Sequence, residues 1–285
     1  MQKQDMVTTR YTPESRLRHP ILLLKEMWRD LMGSGELAWR LVVRDISAQY
    51  RQTALGYFWA VFPPIVASLA FILLHSSHVM EIKGINVPYP LYVMAGTVFW
   101  QLFVDALNFP LKVVTESKAI LTKINLPKES LIIASIGQVL FSFAIKLILL
   151  VGVCIYFKAS VGWTVVLMPL PIIGLLLLGT MFGVLLIPVG LLYKDIQQAL
   201  LVATHGLIFL TPVAYPPTVE GILGDIMRVN PVTPLLMGAK GLLFNGIPAN
   251  ILPFFAVLGA TFVLLFIGWV VYRAALPIIV ERIGA

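Results

Sequence analysis

The sequence predicts an all-α membrane protein with six transmembrane helices, an N-terminal interfacial amphipathic helix, two short re-entrant helices between spans 5 and 6, and both termini in the cytosol. The first observation behind this fold class is composition. The chain has 285 residues, 59% hydrophobic and only 12% charged, with a mean hydropathy of +0.89. Soluble domains carry roughly 25% charged residues, and a soluble protein this apolar would expose large apolar patches to water. A lipid bilayer is therefore the solvent that suits this chain.

The second observation is the number of long apolar runs. A helix that crosses about 30 Å of hydrocarbon needs about 20 largely apolar residues. Six runs meet this length, at roughly 55–75, 90–109, 131–157, 163–192, 197–215 and 251–272. The fourth run is overlong and contains Pro169, Pro171 and Pro188, which predict tilt or kinks.

The third observation is the distribution of basic residues. Sixteen lysines and arginines fall in the segments predicted to be cytosolic, four fall in the outer segments, and Lys146 lies within the third span. This asymmetry satisfies the positive-inside rule, and residues 1–20 lack the apolar region of a secretory signal peptide. The sequence thus predicts a cytosolic segment 1–54, a transmembrane domain 55–272 and a cytosolic tail 273–285.

The pattern from Trp39 to Arg51 predicts a helix that lies in the plane of the membrane interface. One arc of its helical wheel carries Trp39, Val42, Val43, Ile46 and Tyr50, with Arg40, Arg44 and Arg51 beside it. Aromatic rings among headgroups and arginines that reach phosphates are typical of such helices. A soluble amphipathic helix packed on a cytosolic partner is the alternative, and the two are compatible. Gly56 then permits a break, and Trp59 anchors the first span.

Two loops carry patterns of their own. The basic inner loop 112–130 is partly helical in pattern, with Pro127 predicted to stop a helix before the third span; it is either a docking element for a motor or a plain connector. The outer segment 216–250 contains apolar stretches at about 219–227 and 234–244, each too short to span. Thr233 before Pro234 predicts a helix start. Two re-entrant helices fit best, and interfacial connectors are the alternative.

Polar residues that fall inside the predicted spans include Gln101, Asp105, Lys146 and His205. Such residues usually face a bundle interior or an aqueous path. Counting from the span ends separates Asp105 from Lys146 by roughly 14 Å in depth, so no ion pair is expected. His205 is expected to be a hydrogen-bonded packing residue. The lone Cys154 is expected to be a small buried hydrophobe.

Catalytic motifs are absent from the sequence. It has no phosphate-binding loop, no H-E-x-x-H, no G-x-S-x-G and no cluster of metal-binding Cys and His. We therefore expect no catalytic residue, metal or cofactor in this chain. If transport is driven by ATP, another chain must bind it.

Six stretches, taken together and in this order, carry a resemblance to a known family. They are RDISAQYRQTALGYFWAVFPP (44–64), YVMAGTVFWQLF (92–103), ILTKINLPKESL (120–131), YKDIQQALL (193–201), LTPVAYPP (210–217) and NPVTPLL (230–236). From about residue 36 the chain resembles the ABC-2-type permeases of bacterial polysaccharide export, which cover O-antigen, capsule and teichoic-acid exporters. The resemblance implies a homodimer in the inner membrane that encloses a channel for a lipid-linked glycan. It also implies two copies of a separate ATPase, which would hold ATP and Mg.

The resemblance implies an interfacial helix at about residues 36–51 and assigns roles to other residues at matching positions. Candidates for ATPase coupling are Arg44, Arg51, Lys118, Lys123, Lys128, Lys194 and Asp195. Candidates for an outer gate are Asn230, Pro231, Pro234, Leu235 and Leu236. Lys194-Asp195 stands where the family often has Arg-Asp, and a lysine lacks the bidentate fork of arginine.

Aromatic residues of the second span are candidates for lining the channel: Tyr92, Phe99, Trp100 and Phe103. Aromatic faces bind the C–H faces of sugars without demanding one linkage, so they would let a polymer slide. Belt or packing residues are the alternative for each ring.

The predicted function is export of a lipid-linked polysaccharide, above all one of O-antigen type. The first alternative is an ABC-2 permease for teichoic acid, capsule, a drug or a small lipid. The second is an ion-coupled secondary carrier, a class that needs coupled carboxylates near the midplane, where this chain offers only Asp105. A purely structural membrane scaffold would not explain the two predicted re-entrant helices of the outer segment 216–250.

Overall fold

A computed structural model describes residues 20–51, 53–77, 87–121, 123, 126–160, 162–216, 221–244, 246 and 251–284. Within these residues all regular secondary structure is helical, which confirms the all-α prediction. The α-helices are α1 (Pro20–Gly33), α2 (Gly35–Arg51), α3 (Phe58–Ser76), α4 (Tyr89–Glu116), α5 (Lys118–Leu121), α6 (Glu129–Tyr156), α7 (Pro169–Leu192), α8 (Asp195–Leu207), α9 (Ile222–Val229), α10 (Val232–Leu243) and α11 (Leu252–Gly284).

Five helical segments of the described chain are long and apolar enough to cross a membrane. They are Phe58–Ser76, Tyr89–Glu116, Glu129–Tyr156, Trp163–Leu192 and Leu252–Ile279. At the fifth predicted run, α8 continues into a 3-10 turn, Ile208–Leu210. Together these form a shorter apolar helix, Asp195–Leu210, about 24 Å long at 1.5 Å per residue. The structure supports five spans by length, and the sixth stays a prediction.

Prolines and one glycine set several helix boundaries. The overlong fourth run divides at Met168 between a 3-10 turn, Trp163–Leu167, and α7. Pro169 occupies the first position of α7, where its missing N–H breaks no helical hydrogen bond. Gly56 has a φ of +50° between the end of α2 and the start of α3, which confirms the predicted break.

The centre of the bundle is the contact between α4 and α7. A Cβ added at Gly179 would lie 2.6 Å from the carbonyl oxygen of Phe103, and one at Gly183 would lie 2.6 Å from that of Leu107. Only glycine allows helix backbones this close, and small residues serve that purpose in membrane bundles. We call this contact the glycine seam. It makes α4 and α7 a closely packed pair.

A buried ion cluster joins α1, α6 and α11. Arg273 is 6% exposed, and it donates to Glu129 at 2.7 and 3.0 Å and to Asp30 at 2.5 Å. The hydroxyl of Tyr272 donates to the carbonyl of Lys128 at 2.9 Å. These contacts bring α1, the start of α6 and the last third of α11 to one end of the bundle. Because α11 continues to Gly284, the residues after 272 extend the last helix.

The amphipathic helix α2 packs on α6. Ala38, Leu41 and Val42 are buried, and a Cβ at Gly137 would lie 2.6 Å from Cγ2 of Val42. Trp39 is 67% exposed. The predicted apolar arc is therefore divided, with Val42 facing the protein and Trp39 facing outward. Its position at a membrane interface stays a prediction.

Candidate functional site

A groove of about 740 Å³ lies between α3, α4 and α8. The wall formed by α3 is apolar, and its residues are Phe62, Pro63, Val66, Ala67, Ala70, Phe71 and Leu74. The facing wall is mixed. It carries the polar residues Gln101, Asp105, Asn108 and Lys112 from α4 and Gln197, Thr204 and His205 from α8, among apolar residues such as Val104 and Leu201. The four α4 residues follow spacings of three and four, which places them on one face of the helix. The groove can therefore contact an apolar and a hydrogen-bonding surface at once.

A partly buried ion pair joins Asp105 in the groove wall to Lys146 of α6. Nζ of Lys146 lies 2.6 Å from Oδ2 of Asp105, and Oγ of Ser142 donates to the same oxygen at 2.9 Å. The expectation that Asp105 and Lys146 lie too far apart in depth to pair is wrong. It took the end of the apolar run as the end of the helix, whereas α4 continues to Glu116. Asp105 is thus nearer the middle of α4, and the long lysine side chain covers the remaining offset.

Other polar residues of the spans divide between the groove and the core. Nδ1 of His205 lies 2.5 Å from the carbonyl oxygen of Leu201, as expected of a hydrogen-bonded residue. His205 is nevertheless exposed in the groove rather than packed inside the bundle. Cys154 is buried and free, which confirms its prediction as a small hydrophobe.

The two short helices predicted in the outer segment are α9 and α10, which we call the outer pair. Asn230 joins them, as predicted for the turn. Its Nδ2 donates to Oγ1 of Thr211 at 2.9 Å and to the carbonyl of Leu210 at 3.2 Å, and its Oδ1 accepts from the N–H of Val232 at 2.9 Å. Pro231 precedes α10 and Pro234 lies in its first turn, while Leu235 and Leu236 are fully buried. Re-entry of the outer pair into the membrane stays a prediction.

Lys240 is a functional candidate that the sequence analysis missed. It was counted among the outer basic residues, yet it is 1% exposed. Its Nζ donates to the carbonyls of Pro212 at 2.8 Å and Val213 at 2.5 Å, and it lies 3.8 Å from the ring centroid of Tyr92. Burial lowers the pKa of Lys240 well below its ordinary value, but an amine can donate to both carbonyls in either protonation state. Lys240 is the only lysine in the short apolar stretch 234–244, and this isolation was the sequence signal that could have identified it.

The four candidate aromatic residues do not share one environment. A second cavity of about 620 Å³ lies against α9 and the start of α10, and Trp100 and Phe103 line it. Trp100 also lines the groove. Phe99 is fully buried in the core, and Tyr92 contacts Lys240. Contact of these rings with a sugar stays a prediction.

The candidate coupling residues have varied surroundings. Nζ of Lys118, at the start of α5, donates to the carbonyl of Leu191 at 3.0 Å and so caps the end of α7. Arg44 pairs with Asp45 at 2.7 Å, and Asp45 also accepts from Gln138 at 2.8 Å. The others are exposed, except for the half-buried Lys128: Arg51 at the end of α2, Lys123 before the third span, Lys128 before α6, and Lys194 and Asp195 at the start of α8.

The candidate interfacial aromatics lie near the junction of α2 and α3. Tyr50 packs on Tyr57 with ring centroids 4.7 Å apart. Burial, and then the charge of Asp105, raise the pKa of the Tyr50 phenol. Trp59 is half-exposed and packs edge-on against Phe62 at 5.4 Å. This aromatic junction therefore continues into the apolar wall of the groove.

Comparison with known proteins identifies the family. Residues 36–244 match the ABC-2 type transporter family. The chain is similar to the O-antigen export system permease protein RfbA of Myxococcus xanthus, at 23% identity over 241 residues, 83% of this chain and 91% of that protein. It is also similar to the protein of that name from Klebsiella pneumoniae, at 20% identity over 208 residues, 71% and 78% of the two chains. The family match covers most of the chain and includes four of the five helical segments long enough to span a membrane. The chain is thus a multi-pass membrane protein that belongs to the ABC-2 type transporter family.

Proposed function

We propose that this chain is the permease subunit of an ATP-driven exporter that moves a lipid-linked polysaccharide of O-antigen type across the inner membrane. The observation that carries the proposal is similarity to two O-antigen export permeases along 91% and 78% of their lengths. The permease itself is not catalytic. ATP and Mg bind to a separate ATPase, present in two copies, and the permease acts as a homodimer.

The chemistry of the groove supports an amphiphilic cargo. A lipid-linked glycan has an acyl or prenyl part, which suits the apolar wall of α3. Its sugar hydroxyls suit the amide and carboxylate groups of Gln101, Asn108 and Asp105, since such groups donate and accept hydrogen bonds. A purely apolar drug would leave Oδ1 of Asn108, which is buried without a hydrogen-bond partner, unsatisfied, and unpaired buried polar groups are costly.

The exposure of α8 supports a second copy of the chain. This apolar helix has only Thr204 buried among its residues. Large exposed apolar surfaces mark contacts with lipid or protein, and the polar residues Gln197 and His205 on the groove side of α8 favour protein there. A second copy across the groove would convert it into an enclosed channel.

Contacts at the ion cluster support six spans. Arg273 contacts both Asp30 and Glu129, so these three residues lie at one end of the bundle. Spans α6, α7 and α11 give three crossings between Glu129 and Arg273, and three crossings would leave these residues on opposite sides. A fourth crossing is needed, and Asp195–Leu210 is the longer of the two short apolar helices there. Six crossings with both termini in the cytosol satisfy this count.

Membrane orientation can be tested with two exposed positions. Lys123→Cys and Ser160→Cys place thiols on the inner loop and on the loop after α6. An impermeant thiol reagent added outside intact cells should label Ser160→Cys and leave Lys123→Cys unlabelled until the cells are opened. Equal labelling of both in intact cells would contradict the orientation.

Transport can be tested in proteoliposomes that contain the full chain, its ATPase and a polyprenyl-diphosphate-linked glycan. ATP should move glycan to the side opposite the ATPase, where an added glycosidase cleaves it. The double variant Gln101→Leu, Asn108→Leu should assemble with the ATPase but lose this transport, while the exposed-site control Ser160→Ala should keep it. Glycan that stays inaccessible with the wild-type chain, in liposomes where a drug or simple lipid moves, would favour the alternative cargo.

A further inference from the structure

Two polar side chains of the outer pair reach one short segment of the chain. Asn230, before α10, donates to the carbonyl of Leu210 at 3.2 Å, and Lys240, near the end of α10, donates to the carbonyls of Pro212 and Val213 at 2.8 and 2.5 Å. We call residues 210–213 the carbonyl segment. It begins at Leu210, the last residue of the 3-10 turn that follows α8, and α8 lines the groove. The outer pair is thus fastened to the end of a groove-lining helix.

The surroundings of Lys240 are built to hold an amine. A Cβ at Gly96 of α4 would lie 2.1 Å from the carbonyl oxygen of Val213 and 2.9 Å from Nζ of Lys240. Glycine at that position is therefore required for the carbonyl segment and the amine to approach α4. The ring of Tyr92 covers the amine at 3.8 Å, a distance typical of cation–π contact.

Lys240 differs from the other buried cations in its partners. Lys146 and Arg273 each pair with carboxylates. Among the described residues, Nζ of Lys240 contacts backbone carbonyls and a ring face but no carboxylate. Pro212 and Val213 are consecutive residues, so a shift of this part of the backbone would remove both acceptors from Lys240 together.

We infer that Lys240 is a positioning residue that fastens the outer pair to the carbonyl segment and releases it when α8 moves. The inference rests on the proposed function, in which the groove is the cargo path, and on the predicted role of the outer pair as a gate that closes this path. Hydrogen bonds weaken steeply with distance and angle, so a small displacement of the carbonyls frees the amine. An apolar contact is not directional and would persist while the two surfaces slide past each other. The hydrogen bonds that attach Lys240 to the carbonyl segment are therefore either intact or lost.

A purely structural role for Lys240 makes the opposite prediction for two substitutions. Met matches the apolar stem of lysine but donates no hydrogen bond, whereas Gln keeps an N–H donor on a shorter side chain. If Lys240 only fills space, Lys240→Met should be the milder change. If its hydrogen bonds hold the outer pair, Lys240→Gln should be milder.

The first experiment measures release of calcein from liposomes that contain the full chain and its ATPase, without ATP or glycan. Release with Lys240→Met should exceed the wild-type rate by about tenfold or more, because both hydrogen bonds to the carbonyl segment are lost. Lys240→Gln should release less than Lys240→Met. The control Lys158→Met removes an exposed outer lysine and should match the wild type. A wild-type rate with Lys240→Met, or faster release with Lys240→Gln, would overturn the inference.

A second experiment keeps the inference testable if Lys240→Met fails to assemble. Spin labels on Val202→Cys in α8 and Val229→Cys in α9, both highly exposed in the wild type, report one distance in a chain with Cys154→Ala. Labelled chain is diluted with unlabelled chain so that each dimer contributes one pair. Addition of ATP and Mg should change this distance. An unchanged distance during ATP turnover would overturn the inference.

These outcomes separate the inference from the proposed function. Neither measurement needs glycan, so both hold even if the cargo is a different amphiphile. Calcein release tests the fastening by Lys240, and the spin-label distance tests whether α8 moves relative to the outer pair. Conversely, glycan transport by the wild-type chain together with tight Lys240→Met liposomes would leave the proposed function standing and remove the role of Lys240.

Discussion

Two buried cations, Arg273 and Lys240, are held in different ways at opposite ends of the bundle. Arg273 lies between the carboxylates of Glu129 and Asp30, which come from two different helices. Lys240 has two carbonyls and the ring of Tyr92. A buried ion pair is strongly destabilised when one partner is removed, whereas carbonyls remain acceptors for other donors. The Arg273 end is thus suited to stay fixed, and the Lys240 end is suited to change.

The largest effect should follow the loss of Arg273. Arg273→Met leaves Glu129, itself 1% exposed, without its ion-pair partner, and such a change costs about 3–5 kcal/mol. The melting temperature of the purified chain in detergent should fall sharply, and Arg273→Met with Glu129→Gln should recover part of the loss. The matched control is Arg228→Met, whose pair with Asp225 is exposed and worth about 0.5 kcal/mol. Equal melting temperatures for the two single variants would contradict a fixed ion cluster.

A smaller effect is expected at the ion pair beside the groove. Lys146→Met leaves the Asp105 carboxylate, which keeps the Ser142 hydrogen bond and is 16% exposed in its side chain. Partial access to the groove reduces the cost to about 2 kcal/mol. Unfolding in detergent measures it, with Lys146→Met plus Asp105→Asn as the control that removes both charges. If the double variant is the less stable of the two, the pair does not act by charge compensation.

The next smaller effect is expected at Asn230, which helps to attach the outer pair at the Lys240 end of the bundle. Asn230→Ala removes two donated hydrogen bonds and one accepted one, for a loss of about 1–2 kcal/mol in the attachment of α10. Limited proteolysis should cut the outer pair faster while the melting temperature of the bundle stays near wild type. Asn230→Asp retains the acceptor for Val232 but not the donors. Wild-type protection in Asn230→Asp would assign the effect to the helix start rather than to the carbonyl segment.

The smallest effect on stability is expected in the inner loop. Lys123→Glu changes an exposed side chain and should alter the free energy of unfolding by no more than about 0.5 kcal/mol. It should still reduce stimulation of the ATPase if the loop docks it. Lys118→Glu should reduce both, because it also removes the cap on Leu191. Unchanged ATPase stimulation in Lys123→Glu would make the loop a plain connector.

The sequence predicted those features that depend on local pattern. The length and hydropathy of the apolar runs were sufficient to predict the five long helices. The short apolar stretches beside Asn230 were sufficient to predict the outer pair. The Asp105–Lys146 pair was missed because the polar end of α4, beyond the apolar run, is helical too. Lys240 was missed because its acceptors are backbone carbonyls, which every residue carries and which therefore leave no trace in a sequence. The roles of the aromatic and coupling residues depend on partner molecules and stay predictions.

The glycine seam has a mechanical consequence. Helices α4 and α7 interlock at backbone distance, so neither can slide past the other without a collision between main chains. Lys118 ties the inner loop to the end of α7. A displacement of that loop would therefore be transmitted along α7 and α4, which move together as one rigid unit. Helix α4, with 28 residues, gives this unit a length of about 42 Å. The unit ends beside Tyr92 and the carbonyl segment.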